Sequence, residues 1–251
     1  MTEPRGGRGA SKPRRRNVAR AVLGVLGELL ITAGVGVLLF LGWSLWFNDL
    51  VVGNKLHEES LEQAQAWERD EAGAAHGTPQ DPPVLGAPDS TERFGLMIVP
   101  RWGADYYRPI AEGVGTAAVL NKGQIGHYPK SQMPGAVGNF AVAAHRTSYG
   151  KPFNQISSLS VGDHIYVETA DGWYLYVFRN LEYVQPTAIG VIAEVPQSAA
   201  ATPEDRFMTM TSCNPLFSSA ERIIAYSVFD RFYPRAGGPP DDIAATVAGV
   251  S

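Results

Sequence analysis

The chain has 251 residues, 45% of them hydrophobic and 18% charged, with a formal net charge of −4. That length and balance suit one globular domain with appendages, and exclude a disordered chain and a generally basic nucleic-acid binder. The single Cys excludes an intrachain disulfide framework.

The charge is unevenly placed. Residues 1–20 carry Arg5, Arg8, Lys12, Arg14, Arg15, Arg16 and Arg20 against Glu3 alone. Residues 21–47 follow as an apolar segment, and from Leu29 to Phe47 no residue is charged. Nineteen residues at ~1.5 Å rise span roughly 28 Å, about the hydrocarbon thickness of a bilayer. Trp43, Trp46 and Phe47 gather at its far end, as aromatic residues do at a membrane interface. The preceding cations predict a single-pass anchor with a cytoplasmic N-terminus and an extracytoplasmic bulk. A cleaved signal peptide is the alternative, but the run is long for one and no A-x-A site follows it.

Residues 48–93 read as an extracytoplasmic stalk and linker. Asn48 to Ala72 is polar and free of Pro, which predicts a solvated helix. Pro79, Pro82, Pro83 and Pro88 then make a semi-extended connection with little capacity to pack. Residues 94–235 change to short β-type runs: Leu96–Val99, Asn139–His145, His164–Thr169, Trp173–Phe178, Phe207–Cys213 and Arg222–Phe229. Ala170, Asp171 and Gly172 supply a hairpin turn between two of them. The class is therefore mainly β, a closed antiparallel barrel of about eight strands preceded by one transmembrane helix. Residues 236–251 predict a flexible tail.

Alternation along a strand puts Thr209, Thr211 and Cys213 on one face, with Met208, Met210 and Ser212 on the other. Cys213 ends its run just before Asn214 and Pro215, a position beside a loop where sites accumulate. A free thiol is only a few per cent thiolate at neutral pH, so a nucleophilic Cys needs a nearby cation and a proton carrier. If the last two runs pair, Arg222 returns close to Cys213 as a donor to an oxyanion or a carbonyl. For the carrier there are five histidines. His57 lies on the stalk, His76 at the linker, His164 at a strand edge, and His127 in a turn suited to a structural role. His145 ends an apolar run, as Cys213 does.

Three motifs now carry a family resemblance. Ala141 to Phe153 (AVAAHRTSYGKPF) resembles the histidine segment of sortases. Thr209 to Cys213 resembles their T-L-x-T-C strand, with Met210 and Ser212 replacing the usual Leu and Thr. Arg222 stands at their arginine position. The similarity runs from about Leu96 to Phe232. The Gly27–Thr32 segment and the Gly126-His127-Tyr128-Pro129 element resemble class E sortases of actinobacteria.

The resemblance implies a cell-surface transpeptidase that cuts a C-terminal sorting signal between Thr and Gly, forms a thioester on Cys213, and passes the acyl group to a cell-wall amine. It implies His145 as acid and base and Arg222 as binder of substrate or oxyanion. Tyr128, Arg146, Thr209, Thr211 and Ser212 are the candidates for substrate contact, with Tyr128 linked to a choice of L-A-x-T-G over L-P-x-T-G. The expected partners are surface proteins bearing such a signal, a peptidoglycan or lipid-linked amine, and the membrane. No cofactor, metal or nucleic acid is expected. The competing readings are a class C or D sortase and a catalytically silent binding module on the same barrel.

Overall fold

A computed structural model describes residues 15–43, 48–70 and 81–248. The most basic stretch, Arg5 to Arg14, lies outside the described residues, as do Trp46, Phe47, His76 and Pro79.

The first unit is one helix, α1 (Arg15–Gly42). Its span from Arg20 to Gly42 is long and apolar enough to cross a membrane. Its large side chains are exposed all along it, Leu29 at 61% and Leu38 at 69%. A helix apolar around its circumference needs either a protein core or lipid. That span begins upstream of Leu29 and takes in Glu28.

The second unit is the barrel with its covering helices. Among the described residues, the strands are β1 (Arg93–Ile98), β2 (Tyr107–Glu112), β3 (Ile125–His127), β4 (Gly138–Ala143), β5 (His164–Thr169), β6 (Gly172–Val184), β7 (Arg206–Asn214) and β8 (Glu221–Pro234). They close in the order β1-β2-β3-β4-β7-β8-β6-β5. The closed eight-stranded barrel agrees with the sequence reading, but the sheet is mixed. The β2–β3 and β4–β7 pairings are parallel. Parallel neighbours need a long crossover, and between β4 and β7 that crossover is the whole β5–β6 hairpin.

Period-2 alternation explains the core. Phe140 and Val142 of β4, Tyr174, Tyr176 and Phe178 of β6, and Met208 and Met210 of β7 belong to one buried cluster that fills the barrel. Trp173 and Leu175, on the opposite face of β6, belong to a second cluster with Leu96, Ile98, Tyr107 and Tyr166. A strand apolar on both faces must be covered outside as well as in.

That cover comes from segments expected to be loose. Helix α2 (Asn48–Asp70) does form, but it is not solvated all round. Leu56, Ser60 and Ala64 are buried at four-residue intervals, and Ala64 packs into the outer cluster with Leu61 and Trp67. Small and hydroxyl residues on that face disguise it in a Glu- and Gln-rich sequence. Residues 236–248, expected as a flexible tail, also dock. Ile243 and Val247 are buried there, the latter in the short helix α3 (Ala244–Ala248). Asp242 accepts from the Tyr166 hydroxyl at 2.6 Å and meets His164 Nδ1 at 2.8 Å. The described part of the Pro-rich linker lies along the barrel: Leu85 packs against the core, and the Tyr174 hydroxyl donates to the Pro83 carbonyl at 2.7 Å.

Candidate active site

The barrel brings three strand ends together. In the antiparallel β7–β8 ladder Cys213 pairs with Arg222, Thr211 with Ile224, and Thr209 with Tyr226. Directly opposed residues hold their Cβ atoms about 4.5–5.5 Å apart on one face. In the parallel β4–β7 ladder Ala143 pairs with Thr211. The chain keeps this alignment beyond β4, since Ala144 N–H donates to the Thr211 carbonyl at 3.2 Å. Arg146 then donates to the Cys213 carbonyl at 3.3 Å, which sets the segment carrying His145 beside Cys213. Met208 and Met210 fill the barrel, so alternation puts Thr209, Thr211 and Cys213 on the outer face. Cys213, His145 and Arg222 are all half-buried, which leaves each reachable from solvent.

Each of the three is held by neighbours. His145 Nε2 lies 2.9 Å from Asn121 Oδ1, and its ring stacks on Tyr149 with 5.2 Å between centroids. Burial holds the His145 imidazole below the usual histidine range. Arg222 donates to the carbonyls of Ser219 at 3.0 Å and Glu221 at 2.9 Å, which sets its guanidinium beside the 215–220 loop.

The residues expected to contact substrate divide. The Tyr128 hydroxyl meets Thr211 Oγ1 at 3.1 Å, next along the outer face from Cys213. Tyr128 also lines a cleft of about 270 Å³ with Pro129, Lys130, Ser131 and Ile192. Thr211 itself is buried beneath that contact. Thr209 shares its face and is fully buried.

Ser212 and Arg146 serve the framework. Ser212 points to the barrel side and donates to the Ala144 carbonyl at 2.8 Å, tying the Cys strand to the His segment. Arg146 is 6% exposed and donates to the Cys213 carbonyl at 3.3 Å, to Asn214 Oδ1, and to Ser157 Oγ at 3.3 Å. It ties the residue after His145 to the residues at and after Cys213. A motif gives order along the chain and not the facing of a side chain, so these bonds had no trace in the sequence.

His127 has the structural place expected of it. It is 2% exposed and bridges Glu112 Oε2 at 2.6 Å and Ser131 Oγ at 2.9 Å. The bridge braces the turn that carries Tyr128. Asn121 and Tyr149 escaped the sequence reading. Asn121 lies 24 residues before His145 in an unpatterned stretch, with no local signal to find it.

With Cys213 opposite Arg222 and the His145 segment beside them, comparison with known proteins gives the lineage. A family profile described as the sortase domain matches residues 97–229. This chain belongs to the sortase family. Sortases are cysteine transpeptidases, and the curated relatives of this chain are sortases too. Sortase SrtE1 of Streptomyces coelicolor is 32% identical over 241 residues, covering 94% of this chain and 65% of its own length. The chain thus spans just under two thirds of that relative. Sortase SrtE2 of the same organism is 32% identical over 227 residues, covering 88% of this chain and 86% of its own.

Solved structures agree. The SrtA sortase from Actinomyces oris matches with TM-score 0.62 and 37% identity, covering 65% of this chain and 93% of the other. Sortase E1 from S. coelicolor, solved with a tripeptide in the active site, matches with TM-score 0.57 and 36% identity, covering 61% and 97%.

Proposed function

We propose that this sortase is a class E type transpeptidase of the cell surface. It cleaves an L-A-x-T-G or L-P-x-T-G sorting signal between Thr and Gly and joins the protein to a cell-wall amine. The observation that carries the reading is the register: Cys213 lies opposite Arg222, and Arg146, next to His145, bonds the Cys213 carbonyl. The two sortase E relatives support the class. The tripeptide in the active site of the S. coelicolor enzyme supports a peptide substrate.

The chemistry follows from the groups. The Cys213 thiolate adds to the Thr carbonyl carbon, and the carbonyl oxygen takes the charge. Arg222, permanently cationic, donates hydrogen bonds to that oxygen. As the intermediate collapses, the C–N bond to glycine breaks and His145 imidazolium gives its proton to the departing amine, leaving a thioester. The incoming amine adds to the thioester, loses its proton to His145, and expels the thiolate as the new amide forms. Each turnover restores thiolate and imidazolium, so no external oxidant or cofactor enters the balance. Tyr128 and the cleft beside it receive the signal residues ahead of Thr. Helix α1 anchors the domain with the N-terminus cytoplasmic.

Incubating the purified protein with L-A-x-T-G and L-P-x-T-G peptides and an amine acceptor tests this. Cleavage after Thr with transfer to the amine is expected, lost in Cys213→Ala. Cleavage of neither peptide, or cleavage undiminished in Cys213→Ala, refutes it.

A further inference from the structure

His145 is held by two loops, and both loops rest on α2. Asn121, in the short helical turn Leu120–Lys122, faces Nε2, and Tyr149 stacks on the ring. Gly123 closes the first loop and Gly150 follows Tyr149 in the second. A side-chain carbon at Gly123 would collide with Leu56 Cδ1, lie 2.6 Å from the Tyr149 carbonyl oxygen, and lie 3.1 Å from Val52 Cγ1. One at Gly150 would lie 3.3 Å from both Leu56 Cδ1 and Val52 Cγ1. The two glycines thus form a notch that Leu56 occupies, and Leu56 is 3% exposed.

The second loop has reason to need a clamp. Tyr149, Gly150 and Lys151 run consecutively in the left-handed region, at φ of 52°, 78° and 50°. Non-glycine residues persist there only where the surroundings over-determine them. The far half of α2 supplies the anchorage. Ala64 packs into the outer cluster, Trp67 lies against the Arg235 guanidinium at 5.5 Å, and Glu59 pairs with Arg93.

We propose that α2 is a working part of the active site: Val52 and Leu56 clamp both loops so that Asn121 and Tyr149 fix the His145 ring for proton transfer. The proposal rests on the acid–base assignment of His145. An amide oxygen at Nε2 accepts a hydrogen bond, so the proton of the neutral ring is kept on Nε2 and the Nδ1 lone pair is left for catalysis. Imidazolium then gives the Nδ1 proton to the departing amine and returns to the same tautomer, with Nε2–H still on Asn121. An undocked α2 frees the loops, and the ring samples the other tautomer and other orientations.

The full chain in detergent or nanodiscs gives the test, with Leu56→Ala, Leu56→Val, Asn121→Ala and Trp67→Ala. Wild type should show a single Nε2–H tautomer of His145 by 15N NMR. In Leu56→Ala and Asn121→Ala the tautomers should mix and kcat should fall about tenfold, part of the ~10²–10⁴ that a positioned acid–base group supplies. KM for the peptide should hold within about twofold, the uniform-binding part being untouched. Leu56→Val should move both readouts the same way, less far, and keeps the test alive if the alanine variant does not fold. Trp67→Ala, which loosens the anchored half of α2, should lower Tm and move tautomer and kcat in the same direction as Leu56→Ala, less far. If Leu56→Ala lowers only Tm, with kcat per folded molecule and tautomer unchanged, the clamp is refuted. A His145→Ala variant that keeps full activity refutes the acid–base assignment instead, a distinct result.

Discussion

Cys213 and Arg222 face each other across one rung of the β7–β8 ladder. Eight residues, Asn214 to Glu221, lie between them, and sheet register fixes the pairing more firmly than a loop could. A one-residue slip would send one of the two to the other face, and in β7 the other face is the packed barrel core of Met208 and Met210.

Arg222→Ala is therefore expected to lower kcat/KM by about 10²–10³, the usual cost of removing an oxyanion donor. Arg222→Lys should recover part of this, since it keeps the charge and loses the forked geometry. Because Arg222 is half-exposed, Tm should move little in either variant. Steady-state kinetics beside thermal melts check this.

Arg146→Ala should behave differently. Its buried guanidinium donates to the Cys213 carbonyl, Asn214 and Ser157, and hydrogen bonds from a charged group contribute about 1.5–3 kcal/mol each. A fall in Tm of several degrees is expected, together with a lower kcat from the loosened Cys–His junction. An unchanged Tm in a melting experiment contradicts the bracing role.

His145 is half-buried under Tyr149, and that burial disfavours its charged form. Its titration should lie below the ordinary histidine range. Tyr149→Ala admits water to the ring, removes part of the penalty on imidazolium, and should raise the pKa. The limb of the kcat/KM profile that reports His145 should then move to higher pH. NMR titration of the His145 ring protons with a matched pH–rate profile measures both. A shift downward contradicts the assigned cause.

Tyr128→Phe removes only the hydroxyl that meets Thr211. One neutral hydrogen bond contributes about 0.5–1.5 kcal/mol, so kcat/KM should change by roughly two- to tenfold. Tyr128→Ala should also open the cleft shared with Pro129 and Ile192 and alter the ratio of rates on L-A-x-T-G and L-P-x-T-G peptides. A ratio identical to wild type removes Tyr128 from the selectivity of the site.

Much of this was legible in the sequence because Cys213, His145 and Arg222 each stand at the end of a β-type run, where period-2 patterning is clear. β6 and β8 were likewise readable as apolar runs. β3 was not, since three residues carry no period, and Pro109 interrupts β2. The parallel pairing of β4 and β7 is a tertiary choice without local trace. The docking face of α2 was hidden because Ser60 and Ala64 carry little hydropathy yet are fully buried. Ser212 and Arg146 lie inside recognisable motifs, but only the folded chain shows the backbone carbonyls they bond.

The most direct measurement is mass spectrometry of the protein quenched during turnover of a sorting-signal peptide. The expected species is Cys213 carrying the peptide up to its Thr as a thioester, released by hydroxylamine, with the glycine fragment free in solution. It should be absent in Cys213→Ala. Glycine release with no adduct on Cys213, or an adduct on another residue, would contradict covalent catalysis by this thiol.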